Sequence, residues 1–166
     1  SNKSFLEAKN AIIFGLAKLA EFRDQDTGTH LERIREYSRI ITQELSCLSK
    51  YSKYITEDYI KDIYISSILH DIGKVGIPDA ILLKPGKLSR DERDIMEKHT
   101  IFGAKILSGS DSAVLRLSRV IAMTHHEKWD GTGYPRKLKG KNIPLVGRIT
   151  ALADVFDALI SKRCYK

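Results

Sequence analysis

The sequence predicts an all-α fold. Apolar residues recur at helical spacing through most of the 166 residues, and nothing alternates convincingly with the period of two that a half-buried strand shows. A glycine- and proline-containing stretch between Lys128 and Asn142 predicts one long loop. There are no internal repeats and no low-complexity segments. A chain of this length is expected to form a single domain with its own core.

Two helices are predicted before residue 50. The first runs from Phe5 to Phe22, and its apolar stripe contains Ile12, Ile13, Leu16, Leu19 and Ala20. We interpret it as an amphipathic helix that packs on the core or connects to an upstream domain. After a break over residues 23–28, apolar spacing from Leu31 to Leu45 predicts a second helix with His30 in its first turn.

The middle of the chain predicts a helix that delivers a polar pair. Thr56 opens it ahead of an acidic first turn, which suits the helix dipole, and it is expected to end at His70-Asp71 before Gly73. Residues 78–83 predict a short helix or turn before Lys84-Pro85-Gly86.

Three further helices follow. Ser89-x-x-Glu92 is a capping box for a helix that is expected to continue to Leu107. Apolar spacing predicts another helix from about Ser112 to His126. A last helix is expected from Gly147 to Ser161.

Composition is that of a soluble globular protein, with 42% hydrophobic and 30% charged residues. No apolar run approaches the roughly 20 residues of a membrane span, and no secretory signal is evident, so a cytoplasmic location is the default expectation. Cys47 and Cys164 lack metal-type spacing and are expected to be free thiols. The net charge of +7 permits an anionic partner, although a solvated basic surface is the more common explanation.

The histidines and two aspartates predict a metal site. All five histidines fall near helix ends or on inner helical faces: His30, His70, His99, His125 and His126. A lone histidine on an apolar face is more often a satisfied core residue, but adjacent imidazoles are poor core material because each must place two ring nitrogens.

Carboxylates complete the predicted ligand chemistry. Asp71 has two oxygens and can bridge two cations. Asp154 lies inside an apolar helical stripe, where an unpaired carboxylate is costly, so a cation or an arginine partner is expected. Imidazole and carboxylate ligands without thiolate favour iron, manganese or zinc.

Several motifs carry a family resemblance. They are His70-Asp71-Ile72-Gly73-Lys74-Val75-Gly76-Ile77-Pro78, His125-His126-Glu127 and Asp130-Gly131-Thr132-Gly133-Tyr134-Pro135, together with Asp24-x-Asp26-Thr27-Gly28-x-His30, Met96-x-x-His99 and Asp154-Val155-Phe156-Asp157-Ala158-Leu159. In order and approximate spacing these motifs closely resemble the HD-GYP family of cyclic di-GMP phosphodiesterases. The resemblance extends from about residue 20 to the end of the chain.

The resemblance implies an HD-superfamily helical bundle with a metal site at its centre and a long GYP loop. Residues 1–22 would be an N-terminal helix that connects to an upstream sensor or receiver domain. Residues 23–166 would be the HD-GYP phosphohydrolase domain without its C-terminal helices. The expected ligand is cyclic di-GMP rather than a nucleic acid polymer, and no membrane contact is expected for this segment.

A ligand set also follows from the resemblance. A metal pair would be bound by His70, Asp71, His99, His125, His126 and Asp154, with Asp71 bridging. His30 and Asp26 would complete a third position. The family commonly has glutamate where Asp26 stands, and aspartate reaches one methylene less, so two ions and three both remain open. Iron or manganese is expected, with zinc, nickel or magnesium as alternatives.

Substrate contacts follow in the same way. Lys74 would neutralise a phosphate oxygen or assist the leaving group, or else be a solvated lysine. Arg163 and Lys166 match a terminal phosphate-binding Arg-x-x-Lys pattern, with Cys164 where the family usually has proline. Asp24 would serve as general acid near the leaving group, or as a helix cap.

The GYP loop is given two roles by the resemblance. It would place Tyr134 beside the substrate and offer a surface to GGDEF-domain partners. The alternative is a stiff connector beneath which Trp129 and Tyr134 pack. We expect a mixed role, in which Trp129 is structural.

The sequence is therefore consistent with three functions. The first is hydrolysis of cyclic di-GMP to pGpG, GMP or both. The second is an HD phosphohydrolase for another cyclic dinucleotide. The third is a non-catalytic module that binds nucleotide or a cyclase partner.

Overall fold

The all-α prediction is confirmed. A computed structural model describes residues 2–23 and 29–161. Within these ranges the chain forms eight α-helices and three short 3₁₀ segments, and no strand. The helices are α1 (Asn2–Glu21), α2 (His30–Ser46), α3 (Glu57–Ser66), α4 (Asp79–Leu82), α5 (Arg90–Glu97), α6 (His99–Ile106), α7 (Ala113–Thr124) and α8 (Leu145–Ile160). The 3₁₀ segments are Ser67–Leu69, Ile72–Gly76 and Gly140–Asn142.

Side-chain caps fix three of the helix starts. The Thr56 and Ser112 hydroxyls accept hydrogen bonds from the third residue of α3 and α7, respectively. At α5, Ser89 and Glu92 form the reciprocal capping box that the sequence predicts. Each cap satisfies a backbone N–H that the first turn of a helix leaves without a partner.

Two predicted helices are interrupted where they approach the histidines. The helix expected to reach His70-Asp71 ends at Ser66, and the chain continues in tighter 3₁₀ turns. The helix expected from Ser89 to Leu107 is two helices that meet at Lys98. Because α6 begins anew at His99, this histidine takes its own direction relative to α5.

Among the described residues, two apolar clusters form the core. One contains Ala17, Leu31, Ile68, Leu69, Leu107 and Ala122. The other contains Ile63, Ile121, Val146 and Ile149. Helices α2, α3, α7 and α8 pack against one another around these side chains, and α6 packs against the 3₁₀ segment Ile72–Gly76. The core therefore holds the ends of α3 and α7 and the middle of α8 close together.

Helix α1 has two apolar faces. Ala17 and Ala20 are buried, and Ile13 packs partly against the first core cluster. Ile12 and Leu19, which the sequence places in the same stripe, are exposed by 64% and 69%. The second half of α1 is thus part of the domain's core, although the apolar pattern alone does not identify the buried side. No helix among the described residues is long and apolar enough to cross a membrane.

Gly147 marks the closest approach of α7 and α8. A Cβ atom there would overlap the hydroxyl of Thr124 and lie 2.8 Å from its Cβ. Thr124 is the last residue of α7, and its hydroxyl donates to the Val120 carbonyl oxygen. The glycine therefore sets how closely α8 approaches the histidines that follow α7.

We expect Gly147→Ala to lower the free energy of unfolding by about 1–3 kcal/mol, because the added methyl overpacks a rigid contact. Urea denaturation followed by circular dichroism measures the free energy of unfolding of the variant and of the wild type. Gly15→Ala is the matched control, since a Cβ there has nothing within 4 Å. Helix propensity should make that variant about 0.5–1 kcal/mol more stable. Equal stability of both variants would contradict the proposed contact.

Candidate metal centre

The His70-Asp71 pair is delivered by a tight turn. His70 follows the 3₁₀ segment Ser67–Leu69, and Asp71 precedes the next one. Gly73 then lies against the start of α6, where a Cβ would overlap the carbonyl oxygen of His99 and the amide nitrogen of Gly103. Only glycine permits this approach. It brings Asp71 and His99 to one side of the core.

Three imidazoles are oriented by backbone carbonyl groups. Nδ1 lies 2.8 Å from the Ser67 oxygen in His70, 2.7 Å from the Met96 oxygen in His99, and 3.0 Å from the Ile121 oxygen in His125. A carbonyl oxygen can only accept, so each Nδ1 carries the proton and donates it. In the neutral imidazole, each Nε2 is left with a lone pair that points into the site.

These three Nε2 atoms converge on Asp71. His99 Nε2 and His125 Nε2 each lie 3.3 Å from Asp71 Oδ1, and His70 Nε2 lies 3.4 Å from Oδ2. All three nitrogens and Oδ1 are buried without a hydrogen-bond partner. The two oxygens of one carboxylate thus face different imidazoles.

One cationic side chain accompanies this group. Lys74 Nζ lies 2.8 Å from Asp71 Oδ2, and the lysine side chain keeps 19% of its surface exposed. Burial opposes the charged form of Asp71, but Lys74 and His70 outweigh it and hold the pKa of this carboxyl well below its usual range. Asp71 is therefore an anion at neutral pH.

His30 and two aspartates form the other side of the site. His30 Nε2 lies 3.8 Å from Asp154 Oδ1, and its Nδ1 lies 2.6 Å from Asp157 Oδ2. Its ring packs edge-on against that of His70, with 5.8 Å between centroids. The Glu21 carboxylate, at the end of α1, lies within 4.8 Å of ligand-capable nitrogens of His30 and His70.

His126 and Tyr134 close the site on the loop side. Their rings are stacked, with 4.7 Å between centroids. His126 lies with Asp71, His99 and His125 in a group whose ligand atoms are all within 4.8 Å of one another. Burial, reinforced by the neighbouring His125, lowers the pKa of His126.

Glu127 holds the GYP loop, the loop between Lys128 and Asn142, against the part of the site that contains His126. It is 5% exposed, and its two oxygens accept hydrogen bonds from the backbone N–H groups of Arg136 and Leu138, both at 2.8 Å. The Tyr134 N–H donates to the His126 carbonyl oxygen. The Tyr134-Pro135 peptide bond is cis. The backbone hydrogen bond to His126 holds Tyr134 beside the histidines, whereas Trp129 is 60% exposed.

The donor set fits divalent cations. Two ligand atoms that share an ion at about 2.1 Å lie roughly 3 to 4 Å apart, and the distances from 3.3 to 3.8 Å within the cluster match this range. Converging lone pairs that lack hydrogen-bond donors repel one another unless a cation lies between them. Imidazole nitrogen and carboxylate oxygen are ligands for transition metals of the iron-to-zinc series. The cluster could therefore hold divalent metal.

The predicted site residues that are described lie together. One space is surrounded by four histidines and an aspartate, namely His70, Asp71, His99, His125 and His126. Next to this space lie His30 and Asp154. At its edge lie Lys74 and Tyr134. Four predicted residues lie outside the described part of the chain: Asp24, Asp26, Arg163 and Lys166.

Sequence reasoning assigned no role to three acidic residues at the site. Asp157 and Glu127 lie within the motifs that carry the family resemblance, and Glu21 ends the first helix. The sequence could have indicated a role for Asp157, because Asp157 lies one helical turn beyond Asp154 in the same apolar stripe. Glu21 and Glu127 adjoin buried positions but show no pattern of their own.

The sequence of this chain is similar to a protein family and to several named proteins. A family model described as HD domain matches residues 16–166. A Vibrio cholerae protein named "Cyclic di-GMP phosphodiesterase" is 49% identical over 163 residues, which are 95% of this chain and 33% of the relative. A Thermotoga maritima protein of the same name is 48% identical over 151 residues, 91% of this chain and 39% of the relative.

A third relative carries a different printed substrate. The Vibrio cholerae "3'3'-cGAMP-specific phosphodiesterase 2" is 45% identical over 160 residues, 96% of this chain and 29% of the relative. The chain spans between a quarter and two fifths of the length of these curated relatives. Together the matches confirm the family resemblance that the motifs predict.

The stability of the metal-free protein should depend on pH through His70 and His126. Burial lowers the pKa of both imidazoles, in His70 against the opposing effect of Asp71 and Asp154. Below the unfolded value of about 6.5 the unfolded chain binds protons that the native state does not, so the free energy of unfolding falls as the pH falls. Above about 6.5 this contribution is fully present.

Urea titrations in the presence of a chelator at pH 7.5, 6.5 and 5.5 measure this dependence. We expect a slope below pH 6 that approaches about 1.4 kcal/mol per pH unit for each of the two histidines. His126→Gln should remove one of these contributions. A flat profile between pH 6.5 and 5.5 would contradict burial of neutral imidazoles.

Proposed function

The chain belongs to the HD domain family, and we propose that it is a metal-dependent phosphodiesterase that hydrolyses cyclic di-GMP to linear pGpG, GMP or both. The observation that carries the proposal is Asp71, whose two oxygens face different buried imidazoles. The printed names of the relatives from Vibrio cholerae and Thermotoga maritima support cyclic di-GMP as the substrate.

In this proposal Asp71 bridges a metal pair. The remaining ligands are His70, His99, His125, His126 and Asp154. Support comes from the Nδ1 hydrogen bonds to carbonyl groups, which leave Nε2 of His70, His99 and His125 available as ligands.

We propose two or three ions in all, and a third ion would be bound by His30 and Asp26. The carboxylate of Glu21 beside His30 and His70 adds a ligand on that side and supports a further position. We propose iron or manganese as the physiological metal, with zinc, nickel or magnesium as alternatives. Elemental analysis of anaerobically prepared protein would count the ions for each chain.

When bound, paired divalent ions stabilise the charge that develops on the attacking and leaving oxygens of a phosphodiester. In the hydrolysis, the oxygen of a water molecule forms the new bond to phosphorus and that water releases a proton to solvent, while the bond from phosphorus to the 3' oxygen breaks. The leaving oxygen takes up a proton, which Asp24 would donate as general acid.

Basic side chains would hold the phosphates. Lys74 reaches the space beside Asp71 while part of its surface stays exposed, so a phosphate oxygen could replace solvent at its ammonium group. Arg163 and Lys166 would also bind the phosphates, with arginine favoured by its bidentate geometry. Tyr134, stacked on His126, would contact the substrate from the loop side.

Partners follow from the same proposal. The loop that carries Tyr134 and the exposed Trp129 would offer a surface to GGDEF-domain proteins, and a sensor or receiver domain would precede α1. The main alternative substrate is a hybrid cyclic dinucleotide, which the printed name of the 45% identical relative favours. A non-catalytic binding module is a further alternative.

A turnover assay separates these functions. Protein loaded with iron or with manganese is incubated with cyclic di-GMP and, in parallel, with 3'3'-cGAMP, and the products are resolved by chromatography. We expect pGpG or GMP from cyclic di-GMP. Faster cleavage of 3'3'-cGAMP would transfer the proposal to that substrate, and binding of both without turnover would favour the non-catalytic module.

Asp71→Ala is the control for this assay, because loss of the bridging carboxylate should abolish hydrolysis and lower the metal content together. Asp94→Ala removes an exposed aspartate from α5 and should change neither. Unchanged hydrolysis in Asp71→Ala would refute the assignment of the site.

For Lys74→Ala we expect the metal content to be retained and turnover to fall by about 100-fold, as for the loss of one donor to a developing anion. Metal analysis and initial rates on the same preparation measure both. Lys87→Ala, which removes an exposed lysine, is the matched control. Loss of metal in Lys74→Ala would mean that the lysine supports the ligands rather than the substrate.

A further inference from the structure

The hydrogen-bond partner of Nδ1 is different in His30 from that in His70, His99 and His125. His70, His99 and His125 each donate to an uncharged backbone carbonyl oxygen. His30 instead lies 2.6 Å from a carboxylate oxygen of Asp157, which is 127 residues away in the chain. A charged acceptor binds an N–H more strongly than a neutral one and makes the imidazole a more basic ligand.

Two helices place this contact. Arg33 lies one turn after His30 on α2, and Asp157 lies one turn after Asp154 on α8. The His30 ring is consequently held between two carboxylates, with Asp157 at Nδ1 and Asp154 at 3.8 Å from Nε2. The separation of 3.8 Å is too long for a hydrogen bond, so Nε2 does not donate to Asp154.

Arg33 keeps Asp157 ionised although that carboxylate is only 1% exposed. Its guanidinium binds both carboxylate oxygens, Oδ1 through Nε at 2.5 Å and Oδ2 through Nη2 at 3.1 Å. Arg33 also donates to the hydroxyls of Ser161 and Thr29. An ionised carboxylate can only accept, so the proton at the shared contact stays on His30 Nδ1.

We propose that Asp157, held by Arg33, is the positioning residue that fixes His30 as an Nε2 ligand and sets the affinity of the His30 side of the metal centre. The inference rests on the proposed metal centre and not on the identity of the substrate. The competing explanation is a purely structural ion pair that joins α2 to α8, which would affect stability without selecting a ring nitrogen or a class of metal site.

The first test uses the wild-type chain without metal. Long-range ¹H–¹⁵N correlation spectra of the histidine rings at pH 7.5 report which nitrogen carries the proton. We expect His30 protonated at Nδ1 and bare at Nε2. A His30 ring protonated at Nε2 alone would overturn the proposal, whatever the variants do.

The second test is a Mn²⁺ titration of Asp157→Asn by calorimetry, with bound metal counted afterwards. We expect the affinity of one class of sites to fall by about 10- to 100-fold while another class keeps the wild-type affinity. Ser161→Ala removes a different partner of Arg33 and should leave both classes unchanged. Unchanged Mn²⁺ binding in Asp157→Asn, or an equal loss in all sites with a lowered Tm, would overturn the proposal.

Arg33→Lys provides a second variant should Asp157→Asn not fold. The lysine keeps the charge but loses the two-point contact, so a smaller loss in the same class of sites is expected. Neither of the two tests contains substrate. Failure to hydrolyse cyclic di-GMP would therefore refute the proposed function without affecting the conclusions about Asp157 and His30. Absence of Mn²⁺ binding by the wild-type chain would refute the metal centre and this inference together.

Discussion

The arrangement of the site depends on acceptor atoms that converge without donors around Asp71. Three imidazole nitrogens have their lone pairs turned inward by Nδ1 hydrogen bonds, and Asp71 Oδ1 is buried without a hydrogen bond. Lone pairs at 3.3 to 3.4 Å repel one another unless protons or cations separate them. The helical core must hold this unfavourable geometry until a cation neutralises it, and that requirement explains many features of the surrounding structure.

Close contacts around the site keep the converging acceptor atoms from moving apart. Gly73 allows the turn after Asp71 to lie directly on the start of α6, and Gly147 does the same for α7 and α8. Glu127 uses both oxygens to hold the loop that carries Tyr134. These contacts connect segments remote in sequence, so the candidate ligands are positioned by the packing of several elements.

The site has two chemically different sides. Around Asp71 the imidazoles are oriented by neutral carbonyl groups, and Lys74 supplies a positive charge. Around Asp154 the imidazole of His30 is oriented by the Asp157 carboxylate, with Glu21 nearby. The Arg33 guanidinium and His30 hold the pKa of Asp157 below its ordinary value, although burial acts in the opposite direction. Ions on the two sides would therefore experience different electrostatic environments.

The sequence by itself determined the helical class, the capping box at Ser89 and the residues that meet at the site, because periodicity and ligand chemistry are properties of residue type and spacing. It did not determine the break at Lys98, the buried side of α1, or the roles of Glu21, Glu127 and Asp157. Only the tertiary structure decided these features. The ring nitrogen that a histidine presents depends on the partner of its other nitrogen, and for His30 that partner is brought from α8 by packing alone.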